Sequence, residues 1–167
     1  MASLMIEGLS VEYRQSGAGP DLLLLHSLLT EMSVFEQVLP ALAAARRVTT
    51  INLPGFGDST PAELHSVADH ADHVARVMAA LKLPAGTAVF GNGFGAFVAL
   101  ELAIRHGARF GKLMVADTVP AFPEAGRAPF RGMASPMSRR ISRLQVDAPR
   151  AASIMRLLPA RRPGEQE

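Results

Sequence analysis

The chain has 167 residues, 49% of them apolar and 19% charged, with no cysteine and a formal net charge of +2. That length supports one domain with a core of its own, and the lack of cysteine excludes a disulfide framework and thiolate chemistry. Apolar runs such as Leu22–Leu25 and Ala96–Leu100 fall well short of the ~20 residues a membrane span needs. No basic n-region or long apolar h-region opens the chain, so no signal peptide is read and a cytoplasmic location is the default expectation.

Charge is unevenly divided. Residues 1–120 carry 8 Lys and Arg against 11 Asp and Glu, whereas residues 121–167 carry 9 Arg against 4 acids. The basic balance belongs to the tail, so the body of the chain is not read as a nucleic-acid or membrane binder.

Met5–Gln15 alternates loosely between apolar and polar residues and ends in Ser-Gly-Ala-Gly-Pro, which predicts one or two edge strands closed by a turn. Asp21–His26 is a continuous apolar run of strand length, suited to a sheet covered on both faces. Ser33-Val-Phe-Glu36 has the form of a capping box, and Val34, Phe35, Val38, Leu39 and Leu42 make a helical stripe over 33–45. Pro40 lies inside that stripe, where it should kink the helix or end its first part. Arg47–Asn52 is β-branched and strand-like, and Leu53-Pro-Gly-Phe-Gly-Asp-Ser59 is a loop. Ser66-Val-Ala-Asp69 is a second capping signal, and Val67, Ala71, Val74, Val77, Met78 and Leu81 form the apolar face of a helix over 66–81.

Thr87–Phe90 then enters the glycine-dense turn Gly91-Asn-Gly-Phe-Gly95, which opens at once into the helical pattern of residues 94–106. Lys112–Asp117 reads as a further buried strand. Strands alternating with helices predict parallel βαβ units and an α/β, doubly wound, mostly parallel sheet. From Pro120 the texture changes: seven of the twelve prolines lie there, among arginines, with no sustained period. Residues 1–120 therefore read as the core, and 121–167 as a loosely ordered tail with short amphipathic pieces.

The turn at 91–95 fits two patterns. One is G-x-(nucleophile)-x-G, in which a side chain is held on a strained strand-to-helix bend, with Gly93 at its centre. The other is the dinucleotide fingerprint G-x-G-x-x-A, made by Gly91, Gly93 and Ala96 with Asp117 downstream as the ribose ligand.

His26-Ser27-Leu28 after an apolar strand, Asn52-Leu-Pro-Gly-Phe-Gly-Asp-Ser59 and Gly91-Asn-Gly-Phe-Gly-Ala96 together resemble the α/β-hydrolase family. In flavour they are nearest to small esterases and lactonases such as 3-oxoadipate enol-lactonases. The resemblance covers about residues 5–120, the N-terminal part of that family's domain, so the expectation is a sheet truncated at its C-terminus. An uncovered sheet edge would then favour self-association.

The resemblance implies hydrolysis of an ester or lactone through an acyl-enzyme on a small-molecule substrate, without cofactor or metal. It puts the backbone amides of Phe94 and Leu28 in an oxyanion hole. It places the nucleophile at Gly93, which has no side chain to attack with. Asp117 could serve as the acid, but His106 is the last histidine of the sequence, and it lies on the helix that leaves the 91–95 turn, the family's nucleophile elbow, rather than where a base belongs. The expected protein is an inactive family member, a pseudoenzyme or the product of a truncated reading frame. A binding module without chemistry is the competing expectation.

The other candidates have blander readings. His26 reads as a loop-packing residue, and Asp58 and Ser59 as turn chemistry. His65, His70 and His73, with Asp69 and Asp72 nearby, could be arranged as a metal site but read as a solvated helical face.

Overall fold

The computed structural model describes residues 1–64, 66–107 and 110–117. The expectations for His65 and for the tail beyond residue 117 lie outside these residues. Six strands form one sheet: β1 (Ala2–Ile6), β2 (Leu9–Ser16), β3 (Asp21–Leu25), β4 (Arg47–Ile51), β5 (Thr87–Asn92) and β6 (Phe110–Ala116), in the order β1-β2-β4-β3-β5-β6. The β1–β2 hairpin turns on Glu7 and Gly8, both at positive φ, and is antiparallel, as is the β2–β4 pair. β4, β3, β5 and β6 run parallel.

Helices α1 (Leu39–Ala43), α2 (Val67–Ala80) and α3 (Phe94–His106) make the crossovers. The chain moves from β3 to β4 in one direction across the sheet, then back past β3 to β5 and on to β6. Right-handed crossovers in opposite directions must place their helices on opposite faces. The packing follows: Phe35 and Leu39 join Leu22, Leu24, Val48 and Phe90 on one face. Val74, Val77, Val98 and Leu102 join Leu23, Leu25, Ile51 and Val89 on the other. The sheet is doubly wound, and the unbroken leucine run of β3 is explained by burial on both sides.

Three local expectations change. Residues 33–45 are not one helix: Met32–Phe35 is a single 3-10 turn whose N-cap is Glu31, and Ser33 Oγ bonds the Glu31 carboxylate at 3.1 Å instead of capping. Pro40 does not kink a helix but occupies the first turn of α1, where its missing N–H is no loss. β6 is not a buried strand. It lies at the edge of the described sheet with β5 alone as neighbour, and Met114 and Val115 are 38% and 39% exposed. By contrast, the capping box at α2 forms as the sequence predicts, Ser66 Oγ accepting from the Asp69 amide at 3.1 Å while Asp69 Oδ2 accepts from the Ser66 amide at 2.9 Å.

Candidate active-site crevice

The chain leaves β3 toward β4 and leaves β5 toward β6, so the loops after these adjacent strands diverge, and the place between them at the C-terminal ends of the strands is the crevice position at which open α/β sheets hold ligands. His26, Ser27 and Leu28 follow β3, and Gly93 and Phe94 follow β5, so the topology brings together residues that lie 67 positions apart in sequence. Leu28 and Phe94, the two expected amide donors, are both half-buried against the same apolar cluster.

Gly93 caps α3 at φ +53° and ψ −114°, angles at which a residue with a side chain pays on the order of 1–3 kcal/mol. The bend is the strained one that the sequence pattern predicts, and glycine relieves its strain. Its amide donates to the Ala116 carbonyl at 2.9 Å, which fixes the turn to the end of β6. The space above Gly93 is occupied: a Cβ there would run into Ser27 Oγ and lie 2.9 Å from Ser27 Cβ. That same Oγ accepts a hydrogen bond from the Phe94 amide at 3.3 Å. Gly95 closes the approach of α3 to the β3 loop, since a Cβ on it would lie 2.6 Å from the His26 carbonyl oxygen.

His26 is fully buried and clamps two loops. Its Nδ1 lies 2.8 Å from the Ser27 carbonyl and so carries the proton and donates, while Nε2 accepts from the Leu53 amide at 3.0 Å. Burial pulls its pKa down to about 4, against a smaller opposing effect of the Ser27 bond. Both ring nitrogens are committed, so His26 is the loop-packing residue expected of it.

His70 and His73 are not a solvated face. They are 8% and 1% exposed, and His70 meets the Phe94 ring edge-on at 5.0 Å. Burial pulls both pKa values down to about 4, and mutual or neighbouring positive charge adds to it. His70 Nδ1 and His73 Nε2 have no hydrogen-bond partner among the described residues. The helix carries them on its apolar stripe, because 70, 73, 74 and 77 are spaced to share one face. Asp69 is committed to the capping box, and Asp72 holds Arg105 through two bonds of 2.9 and 2.7 Å and His106 at 2.7 Å. No group of three or more His, Cys, Asp or Glu side chains is arranged for a metal ion among the described residues.

The Leu53–Ser59 loop is held by a residue that no sequence motif singles out. Glu12 on β2, 8% exposed, accepts from Asn52 Nδ2 at 2.7 Å and from the Asp58 amide at 3.0 Å. Ser59 Oγ accepts from the Glu12 amide at 2.9 Å and donates to the Asn52 carbonyl at 2.8 Å. Ser59 therefore does the turn work expected of it, while Asp58 joins the network through its main-chain amide. A cavity of about 210 Å³ adjoins this network, lined by Glu12, Glu31, Asn52 and Asp58 among others. Gly93, Phe94, Ser27 and Leu28 are not among its lining residues, so it is separate from the crevice.

Asp117 follows β6 directly, exposed and at φ +52°, one residue beyond the Ala116 carbonyl that binds Gly93. Its backbone is thus beside the elbow. Ala96 is fully buried, and its amide bonds the Gly93 carbonyl at 3.1 Å in the first turn of α3.

A model of the alpha/beta hydrolase fold matches residues 20–140, running past Pro120. Among curated relatives, the pimeloyl-[acyl-carrier protein] methyl ester esterase of Aeromonas hydrophila is 36% identical over 116 residues, covering 68% of this chain and 44% of that protein. The 2-hydroxymuconate semialdehyde hydrolase of Pseudomonas sp. strain CF600 is 35% identical over 117 residues, covering 67% and 41%. The chain thus spans less than half the length of these relatives. A serine-to-glycine variant of an N-acyl homoserine lactonase, solved with N-hexanoyl homoserine lactone, superposes with a TM-score of 0.67 at 29% identity over 72% of this chain and 46% of that one. A bacterial membrane phospholipase A superposes at 0.68 with 28% identity, covering 74% and 41%.

Proposed function

The chain belongs to the α/β-hydrolase fold family, and from that premise we propose that it recognises the carbonyl group of an ester or lactone without forming an acyl-enzyme at the elbow. The observation that carries the reading is Gly93: the elbow keeps its bend and its following amide, but the residue at its apex offers no nucleophile. The backbone donors are independent of side-chain identity, so carbonyl recognition outlasts the loss of the reacting groups. A lactonase whose serine-to-glycine variant is solved with its lactone supports binding without that side chain. The ligand class, a small acyl ester or lactone, follows the esterase and lactonase names of the relatives.

The test pairs p-nitrophenyl ester hydrolysis with calorimetric titration of N-hexanoyl homoserine lactone, on the unmodified chain and on Gly93→Ser. Hydrolysis at the buffer rate with saturable binding is expected. Turnover by the unmodified chain well above buffer overturns the non-acylating assignment, and absence of binding overturns the ligand class.

A further inference from the structure

Ser27, on the loop after β3, reaches the turn at Gly93 and Phe94 with a polar side chain to which the family assignment gives no role. Ser27 Oγ accepts from the Phe94 amide, so it occupies the position in which a ligand's carbonyl oxygen would take the same hydrogen bond. It also fills the volume that any side chain at position 93 would need. The Ser27 main chain is fixed, its carbonyl held by His26 Nδ1 and by Thr30 Oγ1, each at 2.8 Å. What remains free is rotation about χ1, a change between staggered wells. At 3.3 Å the bond to Phe94 is longer than the usual 2.9–3.0 Å of an N–H···O bond, so its displacement gives up little. Ser27 is only half-buried, so a ligand can reach it.

We propose that the Ser27 hydroxyl is a built-in occupant of the carbonyl-oxygen site at the Phe94 amide, a gate that a ligand must turn aside, and that Gly93 is side-chain-free to make room for it. This rests on the carbonyl-binding reading above but concerns a different residue. Ser27 is a positioning residue: bound as in this structure, it keeps the amide satisfied and shut. A ligand carbonyl replaces the hydroxyl as acceptor, and the hydroxyl rotates away.

Three measurements on the full chain test this. Ser27→Ala keeps Cβ and removes the competing oxygen, so it is expected to bind N-hexanoyl homoserine lactone about two- to fivefold more tightly, the gain from removing one weak competing acceptor, and to speed hydrogen exchange of the Phe94 amide. A cycle of Gly93→Ala, Ser27→Gly and the double variant isolates the steric coupling, because backbone strain at position 93 is present in both backgrounds. Gly93→Ala is expected to lower the unfolding midpoint less when Ser27 is already glycine. Unchanged or weaker lactone binding by Ser27→Ala, where the unmodified chain binds, overturns the gate. So does additivity in the cycle. If neither chain binds the lactone, the ligand class fails, and the cycle and the Phe94 exchange rate then decide whether the hydroxyl fills the space above Gly93 and the amide: non-additivity with faster exchange in Ser27→Ala sustains that occupancy, and additivity or an unchanged rate refutes it. Where Gly93→Ala does not fold, the exchange and binding measurements still decide between gate and no gate.

Discussion

Acidification should open this fold through its buried histidines before its carboxylates titrate. His26 is the strongest case: it is fully buried, and protonation would put an Nε2–H donor against the Leu53 N–H that now donates to that nitrogen. The folded pKa of about 4 lies below the unfolded value of 6.5. The unfolded chain therefore binds the extra proton in the window between them, and stability must fall as pH falls through it. For His26 alone the linkage gives a loss of about 2 kcal/mol on going from pH 7 to pH 5, with a limiting slope of about 1.4 kcal/mol per pH unit. His70 and His73, shifted the same way, add to the loss. Against a typical total of about 5–15 kcal/mol, this is a large fraction. Urea unfolding followed by circular dichroism at pH 7, 6 and 5 measures it directly. Between pH 6.5 and 5 ordinary carboxylates stay ionised, so a decline there belongs to the histidines. A midpoint that is flat or rises over that interval refutes the buried-neutral assignment.

Other outcomes can be checked in the same apparatus. Glu12→Ala removes the acceptor of Asn52 Nδ2–H and the Asp58 amide in a buried setting, and should cost about 2–4 kcal/mol in urea unfolding. Gly95→Ala forces a Cβ against the His26 carbonyl, a main-chain atom that cannot rotate aside; a loss of about 3 kcal/mol or more is expected, read as a drop in thermal midpoint or in soluble yield. Asp72→Asn weakens the bond pair to Arg105 and the contact with His106 that tie α2 to α3. Arg105 holds the Asp72 carboxyl well below the usual carboxylate range, so the tie contributes above the ordinary carboxylate pKa and is lost as pH falls below it. Because the pair is solvent-accessible, the shift in midpoint should be small and should shrink with added salt.

The parts of the fold legible in the sequence are those whose signal is local or periodic. The Leu22–Leu25 run announces a doubly covered strand, and Ser66 with Asp69 announces the start of α2. Ser33 carries the same local signal as Ser66, but Glu31 takes the cap position first and draws its hydroxyl away. His70 and His73 suggest a solvated face by residue type, although their spacing with Val74 and Val77 places them on the buried stripe. The elbow at Gly93 is legible because glycine density and a strand-to-helix transition coincide there. The Ser27–Phe94 hydrogen bond is not, since it joins residues 67 apart whose meeting depends on the strand order. Glu12 is hidden for the same reason: on a strand it resembles any outward-facing acid until the Leu53–Ser59 loop closes over it.

The central position of β3 also constrains the order of assembly. One side of this strand is paired by residues 47–51, a short distance along the chain, but the other waits for residues 87–92. Leu22 must find Ala88 across the whole of α1, β4 and α2. Until then a leucine strand presents an unpaired edge, the state in which sheets recruit the wrong partner. Non-local pairing of this kind slows folding, because the entropy of closing the loop is lost before the contact forms. Refolding yield should therefore depend on protein concentration, and the vulnerable interval ends when β5 docks.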